Sequence, residues 1–498
     1  MKRTGWRARW AAIAAASLAA AAVCGPGPAA GAATAAGPRV KLIVAQNNLT
    51  VPRYGRQVFL DPGIWVASLG SPFELDVQRP DYSTPLSLTQ VVHLPGGGTQ
   101  GIPWPASLVG KIPTGLPDFV RMTVMNSSGK VVASSRLEFC PNDYNPERAS
   151  TNSPATSPYP QECAGDPFPK SLIWGVAKGW AVDPASQGGQ SMKLALGRYT
   201  VTETIMPTYV RLLNISSADA SASVKIKVVK ASGCCGLAAR GAGAAHRPQN
   251  RPLRSAPAVP MVANPPASTL PDLVPLPSWG ISVAHIKKTK TQPASDQLDF
   301  GATVWVGNAP LDVEGFRSHG SPTMKAYQYF WQNEHIIGRL RAGTMGFDSK
   351  KGHNHWHFEQ FAQYQLLNSA QQPAVRSHKV GFCIAPTDPV DLLEPNAVWQ
   401  PSFLGFGGLC GSTTALWVQE MLPVGWGDTY FQSVAGQSFN ITGVPNGTYY
   451  VQVTANPLKV LHESDTSNDV SLRKVILGGR AGHRTVRVPA VNGIDPEG

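Results

Sequence analysis

The chain has 498 residues, 42% hydrophobic and 15% charged, with a formal net charge of +12. That balance excludes a disordered polar polymer and is long enough for two or three domains. Its 49 glycines and 44 prolines argue against a helical protein and for β-structure with many turns.

Residues 1–36 read as a signal peptide. Lys2, Arg3, Arg7 and Arg9 make a basic start, Trp10 to Val23 is a 14-residue apolar stretch, and small residues follow up to Ala36. No Arg-Arg pair marks a twin-arginine route. Val23 is atypical before a lipidated cysteine, which argues against anchoring at Cys24. The stretch is short for a membrane span and no later one is longer, so a secreted chain without a transmembrane segment is expected.

Residues 38–232 alternate short apolar runs with turn residues, as in Val40 to Val44, Val120 to Val124, Val131 to Leu137 and Val224 to Val229. Val224-Lys-Ile-Lys-Val228 has the period of two of a half-buried strand, and a β-sandwich-like domain is predicted. Residues 233–268 are rich in Ala, Gly, Pro and Arg and read as an extended linker. Arg240, Arg247, Arg251 and Arg254 crowd it, but no nucleic-acid motif accompanies them, and no nucleic-acid partner is expected.

A second β-rich domain is expected over 269–480, so the fold class is all-β. Leu298 to Val306 reads as a strand, and Phe439 to Thr442 and Thr448 to Ala455 flank an Asn446-Gly447 pair that signals a hairpin. Residues 481–498 are expected as a strand-like or loose tail. Six cysteines follow Cys24. Sequence proximity suggests Cys140–Cys163 and Cys383–Cys410, leaving the adjacent Cys234 and Cys235 to pair strained or stay free.

The chemistry-bearing motif is His353-Asn-His355-Trp-His357. On a strand, alternate side chains share a face, so three imidazoles would converge there. Three neutral nitrogens suit Cu(II), Zn(II), Ni(II) or Fe(II), and the triplet alone does not choose among them.

Four segments in order resemble the lysyl oxidase family, in particular its bacterial members, over about residues 270–477. They are Leu270-Pro-Asp-Leu-Val274; the histidine segment with Phe361 and Tyr364; His378-Lys379-Val-Gly-Phe382-Cys383; and Gly427-Asp-Thr-Tyr430 with Gln437 and Ile441, ahead of Asn456-Pro457 and Glu463-Ser-Asp465. The resemblance implies copper at His353, His355 and His357. It also implies a self-made lysine tyrosylquinone joining Lys379 to Tyr430. The implied activity is oxidation of primary amines, lysyl side chains or small amines, by dioxygen to aldehyde, ammonia and hydrogen peroxide. Asp428, two residues before Tyr430, is a candidate proton acceptor. The family's calcium segment maps onto Asp272, the Leu273 carbonyl, Glu463, Asp465, Asn468 and Asp469, where Asp469 stands for the usual second Asn.

The sequence departs from the animal enzymes in having Lys350 in place of an extra His, and Trp426 and Ala435 in a region richer in cysteine there. Two rival readings stand beside the oxidase. One is a non-catalytic surface protein binding copper or calcium. The other is a zinc hydrolase, for which Glu359 is the acid nearest the triplet.

Overall fold

The computed structural model describes residues 37–498 apart from 111, 144, 186–189, 232–258, 291–292, 319, 350–353, 378, 380, 402–409 and 498. The predicted signal peptide, Cys24, Cys234, Cys235, Lys350 and His353 lie outside the described residues, as does most of the predicted linker. The fold is all-β: among the described residues there are 32 strands and one α-helix, Pro207–Leu212. No described helix is long and apolar enough to cross a membrane.

The first half builds three sheets. Val40–Val44, Ile64–Ser68, Trp180–Val182 and Glu147–Arg148 form one, and Ser171–Val176, Phe73–Gln78, Ser87–His93 and Thr99–Trp104 another. The third has seven strands, with Ser221–Lys230 central and parallel to Asn48–Tyr54. Alternation selects the core: Val224, Ile226 and Val228 are buried while Lys225 and Lys227 are exposed. One apolar cluster runs through all three sheets. Each fully buried side chain in it, such as Phe119 or Phe139, contributes about 1.5–3 kcal/mol.

The second half also builds three sheets. The long strand Ser295–Gly307 pairs with Asp272–Pro275 and with Trp426–Tyr430, and Asp388–Pro389 adds to the latter. A six-stranded sheet runs Gly381–Phe382, His355–Glu359, His335–Asp348, Thr323–Gln332, Leu311–Phe316, Trp417–Leu422. The last contains Ala362–Leu367, Gly447–Ala455, Val470–Arg480 and His483–Arg487. A second apolar core fills this half.

The predicted hairpin at Asn446-Gly447 does not form. Ser438–Asn440 pairs with the long strand, whereas Gly447–Ala455 pairs with Ala362–Leu367 and Val470–Arg480. The Ile441 amide donates to the Asp296 carbonyl at 2.9 Å, and the Asn446 side chain accepts from Arg484 at 2.6 Å. Tertiary partners on both sides therefore override the local turn signal. The end of the chain is held as well: Glu497 accepts from the fully buried Arg473 at 2.6 Å and from the Ile281 amide at 3.3 Å.

Both disulfides expected from proximity are present, Cys140–Cys163 and Cys383–Cys410. The two halves meet through segment 388–400. Lys170 pairs with Asp391 at 3.1 Å, Trp399 stacks on Tyr159 at 6.1 Å, and Leu392 and Trp426 join the first core.

Candidate active site

The histidine strand His355–Glu359 sits between two neighbours. His335–Asp348 pairs on one side, with Asp348 opposite His355 and Gly346 opposite His357. Gly381–Phe382 pairs on the other. Trp356 and Phe358 are fully buried, so alternation sends His355 and His357 to the opposite face together. Trp356 anchors the register. Its amide donates to the Cys410 carbonyl at 2.7 Å, its indole N–H to the Ser412 carbonyl at 2.9 Å, and the Arg317 guanidinium lies 4.7 Å over its ring.

The Nε2 atoms of His355 and His357 lie 2.9 Å apart. Nδ1 of the buried His357 is 3.9 Å from the Asp348 carboxylate. Two imidazole nitrogens converging this way fit a shared metal ion. Among the described residues, no group of three or more His, Cys, Asp or Glu side chains is arranged to hold a metal; the third histidine of the motif is outside them.

The lysine segment lies one strand away. A Cβ at Gly381 would meet the His357 Cβ at 2.8 Å, so only glycine lets the two chains pair this closely. Lys379 is 8% exposed, and its amine stands 4.0 Å over the ring of Tyr430 and 4.8 Å over that of Phe382. Its amide donates to Ser377, whose hydroxyl donates to the Gly436 carbonyl. Gly436 has φ +90°, and a Cβ there would come within 3.0 Å of the Lys379 Cβ, so glycine is required for both reasons.

Tyr430 ends the strand Trp426–Tyr430, opposite Ala302 of the long strand. Its hydroxyl accepts the Cys383 amide at 2.9 Å and donates to the Cys383 carbonyl at 3.3 Å. Cys383 is bonded to Cys410, which holds Trp356. The disulfide thus ties the tyrosine to the histidine strand. Burial and the nearby Asp428 push the Tyr430 phenol well above its ordinary value.

Asp428 shares the Tyr430 face, two residues back. Burial raises its carboxyl well above the ordinary value, opposed by the Lys379 ammonium. Its Oδ2 is buried with no hydrogen-bond partner. Sequence reasoning missed Glu420. It is fully buried, accepts the Ile384 amide at 3.0 Å while its Oε1 is buried without a partner, and burial holds its pKa well above normal. Its only sequence signal is a lone acid beside Met421-Leu422. Glu359 accepts the Thr344 hydroxyl at 2.8 Å, so that acid is committed to the sheet.

The other face of the tyrosine strand carries Thr429. Its hydroxyl is 2.7 Å from that of Thr303, which donates to Asp166 of the first half at 2.6 Å. Asp388 accepts the amides of Gly165 and Asp166. Burial, then the neighbouring Asp388, push Asp166 up to about 7.

The oxygen-rich segment gathers most of its predicted members. Asn468 donates to Asp272 at 3.0 Å, and Glu463 accepts the Leu273 amide at 3.1 Å and Asn456 at 2.5 Å. Burial pushes Glu463 up to about 8. Asn468 Oδ1 and Asp469 Oδ1 are buried without a partner, which fits an oxygen-ligated cation. Asp465 stays exposed, its carboxyl lowered by the Ser467 amide it accepts.

The paired histidines and the lysine stacked on a tyrosine fall within one matched stretch. Residues 341–484 match the family model described as lysyl oxidase. The chain is 33% identical to lysyl oxidase homolog 2 of Gallus gallus over 119 residues, 24% of this chain and 13% of that protein. Lysyl oxidase homolog 4 of Mus musculus is 30% identical over 134 residues, 26% and 16% of the two chains. Lysyl oxidase homolog 1 of Homo sapiens is 30% identical over 130 residues, 26% and 20%. The match covers a fifth or less of the length of these relatives. Residues 341–484 thus carry a stretch similar to the lysyl oxidase family.

Proposed function

We propose that the chain is an exported copper-dependent amine oxidase. It would convert a primary amine, a lysyl side chain or a small amine, with dioxygen and water to an aldehyde, ammonia and hydrogen peroxide. The observation that carries the reading is the Lys379 amine held 4.0 Å over the ring of Tyr430 inside the core. A buried cation is costly unless something specific is done with it. Here it faces the carbon atoms to which a lysine tyrosylquinone cross-link would join it.

His355 and His357, with His353 preceding them, would hold the copper. Bound copper would supply the redox chemistry by which dioxygen oxidises the phenol. The chain's own residues do the rest. Gly436 and Ser377 fix the Lys379 backbone, and Cys383 pins the Tyr430 hydroxyl from two sides. Asp428 faces the same space with an unpartnered oxygen and suits the removal and return of protons there. Glu420 accepts the Ile384 amide and so fixes the backbone that follows the lysine segment. The signal peptide and the two disulfides support an oxidising, exported setting. Asp272, the Leu273 backbone, Glu463, Asn468 and Asp469 are proposed to hold calcium, with Asp465 at the rim.

The commitment of Glu359 to Thr344 favours this reading over a zinc hydrolase using that acid. The test is to express the full chain for export, load copper under air, and measure quinone staining and amine-dependent peroxide. Copper uptake with neither signal would sink the proposal.

A further inference from the structure

The seven-stranded sheet of the first half turns one face to the core and the other outward, and part of the outward face is basic. Asn48–Tyr54, Ser221–Lys230 and Gly197–Ile205 lie side by side, with Ser221–Lys230 in the middle. Alternation sends Val224, Ile226 and Val228 inward and Lys225 and Lys227 outward. The register sets Arg198 directly opposite Lys227, and Thr200 opposite Lys225. On the other side Asn48 lies beside Lys225 and Thr50 beside Lys227. All of these except the half-buried Thr200 are exposed.

Two features separate this patch from an ordinary solvated face. Like charges directly opposite on neighbouring strands destabilise the pair, and no acid relieves this one. The outward positions of the three strands carry no Asp or Glu. Among the described residues no carboxylate pairs with Arg198, Lys225 or Lys227, whereas elsewhere in this half Lys41 holds Asp219 at 3.1 Å and Arg136 holds Asp118 at 2.8 Å. The patch is also concave. Arg198, Lys225 and Lys227, together with Asn48, Thr50 and Asn126, line a cleft of about 420 Å³. That volume lies within the range of about 300–1,000 Å³ usual for ligand clefts.

Beyond the cations the same two strands carry hydroxyls. Thr202 is 2.8 Å from Ser223, and Thr204 is 3.1 Å from Ser221. Successive outward residues of one strand stand about 7 Å apart, so Lys225 and Lys227 suit a ligand whose charge repeats. Stacked nucleic-acid bases need an aromatic platform. The ring in the cleft lining is Tyr199, which packs against the core and donates its hydroxyl to the Ala195 carbonyl at 2.9 Å. We infer that this face binds a linear acidic polysaccharide of the uronate class. Arg198, Lys225 and Lys227 would meet its carboxylates, and Asn48, Thr50 and Thr200 its hydroxyls. The site uses residues of the first half alone, and the inference does not rest on the oxidase reading.

The test uses the full chain with polygalacturonate as the probe, by calorimetry and affinity electrophoresis. Wild type is expected to bind it, more weakly as salt rises. The triple variant Arg198→Gln, Lys225→Gln, Lys227→Gln is expected to lose affinity by roughly tenfold or more, as three exposed ion pairs together would supply. Removing mutual repulsion should leave its unfolding midpoint unchanged or raised. Thr50→Val, which keeps the strand and the charge, is expected to weaken binding by about threefold through one lost hydrogen bond. A matched loss of three charges on the second half, Lys287→Gln, Lys288→Gln, Lys290→Gln, should stay within about twofold of wild type. Equal weakening by both triple variants would reduce the effect to net charge and overturn the proposal. Equal binding of fully methyl-esterified polygalacturonate would overturn it too, because the carboxylates would then be irrelevant. So would polyphosphate or single-stranded DNA losing as much affinity in the first triple variant as polygalacturonate does, or an unchanged affinity in Thr50→Val. The face would then read charge and not a saccharide.

Discussion

The two faces of the strand Trp426–Tyr430 are built from adjacent residues and do opposite things. On one face Thr429 meets Thr303, which meets Asp166, and Asp388 caps the Gly165 and Asp166 amides. Thr429, Thr303 and Asp166 find partners there, drawn from both halves of the chain, while Asp388 keeps Oδ2 buried without one. On the other face Asp428 keeps a buried oxygen unsatisfied, and Lys379 is stacked on a phenol ring rather than placed in water. Burying unsatisfied polar groups costs stability, so a fold keeps them where they serve chemistry. The satisfied face is what lets the other face be held in place: a strand pinned from behind can carry a phenol and a carboxylate in a low-dielectric core.

The largest effects should fall on the unsatisfied face. Tyr430→Phe and Lys379→Met are each expected to abolish quinone staining and reduce amine-dependent peroxide to background, with thermal unfolding little changed. Staining that survives Tyr430→Phe would place the cofactor elsewhere. Next comes Asp428→Asn. Loss of a positioned proton acceptor is expected to lower kcat by roughly 10²–10⁴-fold. The variant also removes a carboxyl whose burial is costly, so unfolding should be no easier than in wild type. A kcat within threefold of wild type would make Asp428 a structural residue.

Asp166 links the comparison to pH. Its folded pKa of about 7 stands above the ordinary 3.8, so the folded state binds a proton that the unfolded chain releases earlier. Its contribution is fully present below about pH 4 and is lost as pH rises through about 7, at up to about 1.4 kcal/mol per pH unit in between. Denaturant unfolding at pH 5.5 and 7.5 should show this slope in wild type and a shallower one in Asp166→Asn. Equal slopes in the two proteins would remove Asp166 from the account.

How much of this was legible in the sequence follows from the range of each interaction. The shared face of His355 and His357 follows from strand periodicity, a local property. So does the shared face of Asp428 and Tyr430. The meeting of Lys379 with Tyr430 came from the family resemblance, because nothing local joins residues on different strands. Glu420 was missed: a lone acid in an apolar strand looks the same whether it faces solvent or is buried against a neighbouring backbone amide. The satisfied face was invisible too, since Asp166 and Thr303 lie far apart in sequence and both are ordinary residues. Asn446-Gly447 misled because a strong turn signal says where a chain reverses, not which strands then pair. The strands of the first half were readable from alternation, but the docking of segment 388–400 onto them was not.

The smallest predicted effect is the most direct test of the satisfied face. Thr303→Val keeps the shape of the side chain and its place in the long strand, and removes only the hydroxyl. It leaves Asp166 Oδ2 without its donor and Thr429 without its neighbour. Leaving buried partners unsatisfied should cost about 1–3 kcal/mol in unfolding free energy. If the two faces act separately, quinone yield and KM per folded molecule should stay at wild-type values while the unfolding midpoint falls. If instead quinone yield falls at a temperature where the variant is fully folded, Thr303 positions the tyrosine as well as supporting the strand. An unchanged midpoint would mean that water replaces the lost hydroxyl. The face behind Tyr430 would then be wetter than its burial indicates, and the contrast between the two faces would lose its physical basis.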